Sequence, residues 1–233
     1  MRSFRGLFIL IGAIVLVGCT LITLQLRSQW RTVRRVQCKG HLSAIALGLH
    51  NYHDVYGEFP PAYTADSNGN RLHSWRTLIL PFLNQSELCL DIDLTKPWDD
   101  PANAKARDVV VNTYVCFEAD LENGLTIYHA VSGPDTVFPS DGSTRRLDQI
   151  ADGADRTLMV VEVSRGQAVH WMDPSDNGLD FVTLLSTTTE SPHAGGTQYS
   201  RTDGSTGFLS SHMPPFARQA MTTIAGNETS DAF

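Results

Sequence analysis

Residues 33–60 read VRRVQCKGHLSAIALGLHNYHDVYGEFP, and this stretch decides the fold. Val33, Val36, Leu42, Ile45, Ala46, Leu49 and Tyr52 recur mostly at three- and four-residue steps, the spacing of one helix face. Gly57 and the pair Pro60-Pro61 then stop the helix, because glycine frees the backbone and proline cannot continue the ladder. Upstream the helical pattern does not break. Leu7–Leu26 is a run of 20 residues without a charge, 13 of them Leu, Ile, Val or Phe. At roughly 1.5 Å per residue such a run covers the roughly 30 Å hydrocarbon core of a bilayer. Its side chains favour insertion by roughly 4 to 8 kcal/mol, enough to carry Gly12, Gly18, Thr20, Thr23 and Gln25. The expectation is one helix of about 75 Å from Leu7 to Tyr56, half in lipid and half packed on a domain.

Two other readings compete for the apolar run. A cleaved signal peptide has Arg2 and Arg5 as its basic region, but the run exceeds the usual length and no small-x-small site follows. Leu16-Val17-Gly18-Cys19 is similar to a lipobox, which makes Cys19 a candidate lipidation site; the apolar Thr20–Leu24 that follows is not a polar tether. Orientation is contested too. Arg27, Arg31, Arg34, Arg35 and Lys39 outnumber Arg2 and Arg5, so positive charge alone places the body in the cytoplasm.

Charge divides the chain. Residues 1–40 carry seven basic groups and no acid, whereas the remainder carries 11 basic and 25 acidic residues, a balance of −14. A body that acidic excludes nucleic acid as a partner, since phosphate affinity is built from Lys and Arg. Four cysteines are too few for a disulfide-dense scaffold. Beyond the helix, Trp75, Leu78, Ile79, Phe82, Leu83 and Leu88 suggest a second helix bent at Pro81. Asp99-Asp100-Pro101 opens a short one. Strand signals then cover Thr113–Phe117, Leu125–Val131, Thr157–Val163, Ala168–Trp171, Phe181–Leu185 and Gly207–Ser210, and Pro214-Pro215 opens a last helix. The organisation read from this is a membrane helix with its basic flank over 1–32, an α+β domain over 33–226 and a frayed tail over 227–233.

The order of motifs carries a family. Arg34-Arg35-Val36-Gln37-Cys38, Leu42–Leu49 and His50-Asn51-Tyr52-His53-Asp54-Val55-Tyr56-Gly57-Glu58-Phe59-Pro60 are followed by His73-Ser74-Trp75-Arg76, Leu80-Pro81-Phe82-Leu83 and Pro97-Trp98-Asp99. Then come Asp152-Gly153, Val160-Val161-Glu162, and His193-Ala194-Gly195-Gly196 with Asp203-Gly204, nine residues separating His193 from Asp203. Over roughly residues 33–225 the chain resembles the pseudopilin-like proteins of domain-of-unknown-function family 1559, of planctomycete type. The resemblance implies a type IV pilin-like architecture, a long N-terminal helix packed on an antiparallel sheet, with an extracytoplasmic body at the inner membrane. The family's biochemical activity is unknown. With no nucleophile or metal motif in the sequence, the expectation is a non-enzymatic protein without a cofactor, a hydrolase being the least favoured alternative. The resemblance makes His50, Asn51, Tyr52, Trp75, Glu162, His193, Asp203 and Gly204 a structural motif. The implied partners are the lipid bilayer and other pseudopilin-like or envelope proteins. Cys38 and Cys116 fall at recurrent family positions, as a disulfide or as separate buried thiols; a bridge would add roughly 4.5 kcal/mol on chain entropy. Cys89 reads as a lone core residue. Arg5-Gly6-Leu7-Phe8-Ile9-Leu10 departs from the prepilin-type start, lacking its Thr and Glu, which favours a permanent single-pass anchor over a processed fibre subunit.

Three constellations invite chemistry. His193 and Asp203 could form a base and its orienting carboxylate, but no nucleophile motif accompanies them; a turn at Asp203-Gly204 and a structural bond for His193 are the simpler assignment. His50-x2-His53-Asp54 puts two imidazoles on one helix face without further ligands at metal spacing. Asp173, Asp176, Asn177 and Asp180 surround Gly178 as an oxygen-rich calcium candidate, although such clusters are ordinarily solvated turns.

Overall fold

The structure, a computed structural model, describes residues 2–226; inside the first helix, side chains are described for 16–23, 25–26 and 29–30, and throughout from 32 onward. It is α+β. Helix α1 runs without interruption from Arg2 to Tyr56. A hairpin of β1 (Tyr63–Ala65) and β2 (Arg71–Ser74) leads into α2 (Trp75–Leu78), a 3-10 turn at Leu80–Leu83, α3 (Ser86–Leu90) and α4 (Ala104–Arg107). The main sheet has four antiparallel strands in the order β4 (Tyr128–Ala130), β5 (Leu158–Glu162), β7 (Gly196–Arg201) and β8 (Thr206–Ser210). A separate pair joins β3 (Leu125–Thr126) to β6 (Val169–His170). Helices α5 (Gly178–Leu184) and α6 (Pro215–Ala220) close the domain.

The buried stripe of α1 is Cys38, Leu42, Ile45, Ala46 and Leu49. It packs on the 80–83 turn, on a 3-10 turn at Asn112–Tyr114, and on β5, β7 and β8. Val33 and Val36, expected in the stripe, are instead exposed, so the seat of the helix begins at Cys38. β5 supplies the opposing wall: all five of its residues, Leu158 to Glu162, are buried. Burying five apolar helix side chains contributes on the order of 10 kcal/mol before the entropy of ordering is set against it.

Two strand expectations fail. Thr113–Phe117 contains the 3-10 turn at Asn112–Tyr114, and Phe181–Leu185 lies largely in α5. The second has a clear cause. Gly178, Phe181, Val182 and Leu185 are buried while Leu184 is exposed, an i, i+3, i+4, i+7 pattern that tertiary packing imposes over aromatic and β-branched propensity. The expected membrane span receives no support from the described residues: among them no helix is long and apolar enough to cross a membrane. The side chains of residues 7–15 and 24 of that span lie outside the description, as does the tail 227–233.

Candidate functional site

Four side chains of the sequence motifs, distant in the chain, meet where α1 crosses the sheet. Cys38 comes from the start of the buried stripe, and Cys116 from the loop after the 112–114 turn. Glu162 is the last residue of β5, and His193 precedes β7. One ligand-type atom from each lies within 4.8 Å of all the others, and all four residues are buried. The two Sγ atoms are 2.9 Å apart, both cysteines being free thiols. Glu162 Oε2 lies 2.8 Å from His193 Nε2, and Cys116 Sγ donates toward Glu162 Oε1 at 3.5 Å.

The local chain explains how His193 gets there. Gly195 has φ +83°, and Gly196 lies against β8 so closely that a Cβ would strike the Leu209 carbonyl. The His-Ala-Gly-Gly turn therefore folds His193 back over the end of β7, where Gly196 N–H donates to its carbonyl at 3.2 Å. Thr197 Oγ1 donates to the Glu162 carbonyl at 2.6 Å, which fixes the strand end that carries the carboxylate. Gln198, on β7, completes the group: its Nε2 donates to the Arg35 carbonyl on α1 at 3.1 Å and also lies 2.8 Å from His193 Nε2. Tyr128, paired with Glu162 across β4 and β5, donates its hydroxyl to the Cys38 carbonyl at 3.4 Å.

The electrostatics are coupled. Burial works to lower the His193 pKa, but the bond to Glu162 and its charge more than offset this, leaving it above the ordinary value. The bond from Cys116 lowers the Cys38 pKa, while that same bond, burial and the Glu162 charge push Cys116 far up. A cleft of about 320 Å³ lined by Thr32, Arg35, Glu118, His193 and Ala194 opens onto the cluster from the α1 side. Another cleft, of about 410 Å³ beside His53, Arg146 and Asp148, lies away from this chemistry and carries an exposed ion pair.

A family described as protein of unknown function (DUF1559) matches residues 31–183. The chain belongs to that family. No curated protein and no solved structure matches it. The matched region of this DUF1559 chain holds Cys38, Cys116 and Glu162, and His193 joins them from beyond it.

The other sequence candidates are dispersed. Asp203 does not meet His193; its carboxylate accepts from Ser205 N–H at 2.8 Å, and Gly204 at φ +84° turns the β7–β8 hairpin against the His50 ring. His50 packs edge-on to Phe59, Tyr52 against Tyr56 and Phe82, and Asn51 lies half-buried on α1. His50, His53 and Asp54 form no ligand group with others among the described residues. The calcium expectation is corrected. Asp176 is turned inward, its Oδ1 taken by Arg76 Nη2 and Ala130 N–H at 2.8 Å each and its Oδ2 by Trp75 Nε1 at 3.1 Å. Asp173 accepts from Ser175 N–H, Asn177 N–H donates to His129 Nδ1, and Asp180 sits in the first turn of α5, so the four do not converge. Cys19 is exposed on α1. Sequence reasoning missed Gln198 and Glu118, because a single polar residue in a strand or loop carries no periodic signal.

Proposed function

We propose that this chain is a non-enzymatic, single-pass membrane-anchored protein of type IV pilin-like plan, its acidic domain held outside the cytoplasm for assembly or binding at the envelope. The observation that carries this reading is the contrast along α1. From Cys38 onward the helix buries its apolar stripe in the domain, while Leu16, Val17, Leu21, Ile22, Leu26, Trp30, Val33 and Val36 all stand exposed before it. An apolar surface of that size on one rod needs a partner, and the bilayer or a second pseudopilin-like helix supplies it. The basic residues between Arg27 and Lys39 suit anionic headgroups at the rod's exit. A reading without catalysis is supported by the burial of the two thiols: Cys38 and Cys116 present at most 1% of their surface to solvent.

Carbonate washing of membranes, with reporter fusions after Phe233, tests this. The expected result is full-length protein retained in the membrane, with periplasmic phosphatase activity. Release by carbonate, a mature chain starting at a lipidated Cys19, or cytoplasmic fluorescence alone would replace the reading.

A further inference from the structure

Glu162 is wholly buried, and among the described residues its carboxylate oxygens are faced by His193, Cys116 and, at 3.3 Å, the Gln198 backbone N–H. A buried carboxylate is costly unless a cation or a full set of donors meets it. The surroundings contain a conflict of protons. His193 Nε2 carries one position, a proton or a lone pair, yet it faces Glu162 Oε2 and Gln198 Nε2 at 2.8 Å each. A proton on Nε2 satisfies Glu162 and opposes the Gln198 amide N–H. A lone pair accepts from Gln198 and opposes the carboxylate. Turning the Gln198 amide over sets its oxygen against the Arg35 carbonyl. A disulfide between the cysteines would satisfy two of the four residues and leave this conflict untouched.

We propose that Cys38, Cys116, Glu162 and His193 form a binding site for one divalent transition-metal ion of zinc type. The donor set is two thiolate sulfurs, one imidazole nitrogen and one carboxylate oxygen, the chemistry that suits zinc and not calcium or magnesium. A dication offsets two of the three negative charges of the carboxylate and the two thiolates, and its bonds to sulfur are what make both thiols give up their protons. It also takes the Nε2 lone pair, so that Gln198 is left to the Arg35 carbonyl. Ligation needs the sulfurs to part from 2.9 Å to about 3.8 Å, the span set by two metal–sulfur bonds of about 2.3 Å at a tetrahedral angle. The cleft over His193 provides an entry path. It is lined by Glu118, whose Oε2 is buried without a hydrogen-bond partner. The ion would join the middle of α1 to β5 and to the turn before β7, so the site is structural, as closed four-ligand zinc sites are. This inference is independent of membrane anchoring.

The test uses the full chain in detergent, reduced, chelator-treated, and then titrated with Co²⁺ alone and with Zn²⁺ alone. The expected result is thiolate-to-cobalt charge-transfer absorption saturating at one ion per chain, displaced by Zn²⁺, with a melting temperature that rises on zinc addition and falls on chelation. Glu162→Gln should weaken zinc by more than about tenfold, since even residues that only support a ligand cost that much, and Cys116→Ser, which leaves one thiolate, should cut the absorption by about half or more. If the variants fail to fold, the wild-type absorption and melting shift still decide the matter. Absent absorption, a melting temperature indifferent to zinc, or native protein lacking both thiols because they are bridged would each overturn the site.

Discussion

Two buried polar clusters lie on either side of β4, and they are built differently. In the first, the Arg76 guanidinium spends its donors on the Tyr128 carbonyl, Ser74 Oγ, the Asp173 and Ser175 carbonyls and Asp176 Oδ1, and Asp176 in turn accepts from Ala130 and Trp75. His129 lies 3.7 Å from Asp176, but it is not a second cation. Its Nδ1 accepts from Asn177 N–H, and burial, with Arg76 beside it, keeps its pKa well below the ordinary value. In the second cluster the same burial surrounds one carboxylate, two sulfurs, an imidazole and an amide whose protons cannot all be placed. Around Arg76 and Asp176 both charges are met, although His129 Nε2 is buried without a hydrogen-bond partner. A met ion pair holds chain segments together, whereas protons that cannot all be placed mark where something else belongs.

The sharpest way to break that contrast is Arg76→Met. It strands Asp176 in the core and should cost about 3–5 kcal/mol in denaturant unfolding, whereas adding Asp176→Leu to it should restore much of the loss. If the double variant is no more stable than the single one, the first cluster is not a closed ion pair. Next in size is Glu162→Gln in chelator-treated protein. We expect a loss of about 1–2 kcal/mol, because an amide still reaches His193 and a buried charge is removed. A loss as large as that of Arg76→Met would make the two clusters alike in kind. The smallest effect is a slope. Burial pushes the Asp176 carboxyl up to about 6, with Arg76 opposing that rise, against an ordinary value of 3.8. Between these values the folded state holds a proton that the unfolded state lacks, so stability falls as pH rises through roughly 4 to 6. Wild type should therefore gain on Asp176→Asn as the solution is acidified through that window, as melting curves of the pair would show. Parallel curves would mean that the carboxyl stays ionised throughout.

How far these clusters could be read beforehand follows from the kind of signal each carries. The seat of α1 was legible from Leu42, Ile45, Ala46 and Leu49, since one face of a helix repeats within a dozen residues; its upper limit was not, because Val33 and Val36 keep the period while turned outward. The resemblance brought Cys38 and Cys116 together as a possible pair, and their Sγ atoms lie 2.9 Å apart, but the convergence of Glu162 and His193 on them was not foreseen. A pairing across 78 residues, as between Cys38 and Cys116, leaves no local trace. Asp176 was misread for the same reason. Its loop composition says solvent, and Arg76, the residue that pulls it inward, lies 100 positions away.

The long helix also has a mechanical side. About 36 of its residues, from Arg2 to Gln37, precede Cys38, an arm of about 54 Å. Cys38 is its fulcrum, where a rod whose described large apolar side chains stand exposed becomes a core element. A sideways load at the far end is delivered with that leverage to Cys38 and to Arg35, whose carbonyl the Gln198 amide grips. The four-residue cluster is therefore the hinge pin of the molecule: whatever occupies it sets how stiffly the arm is mounted on the domain.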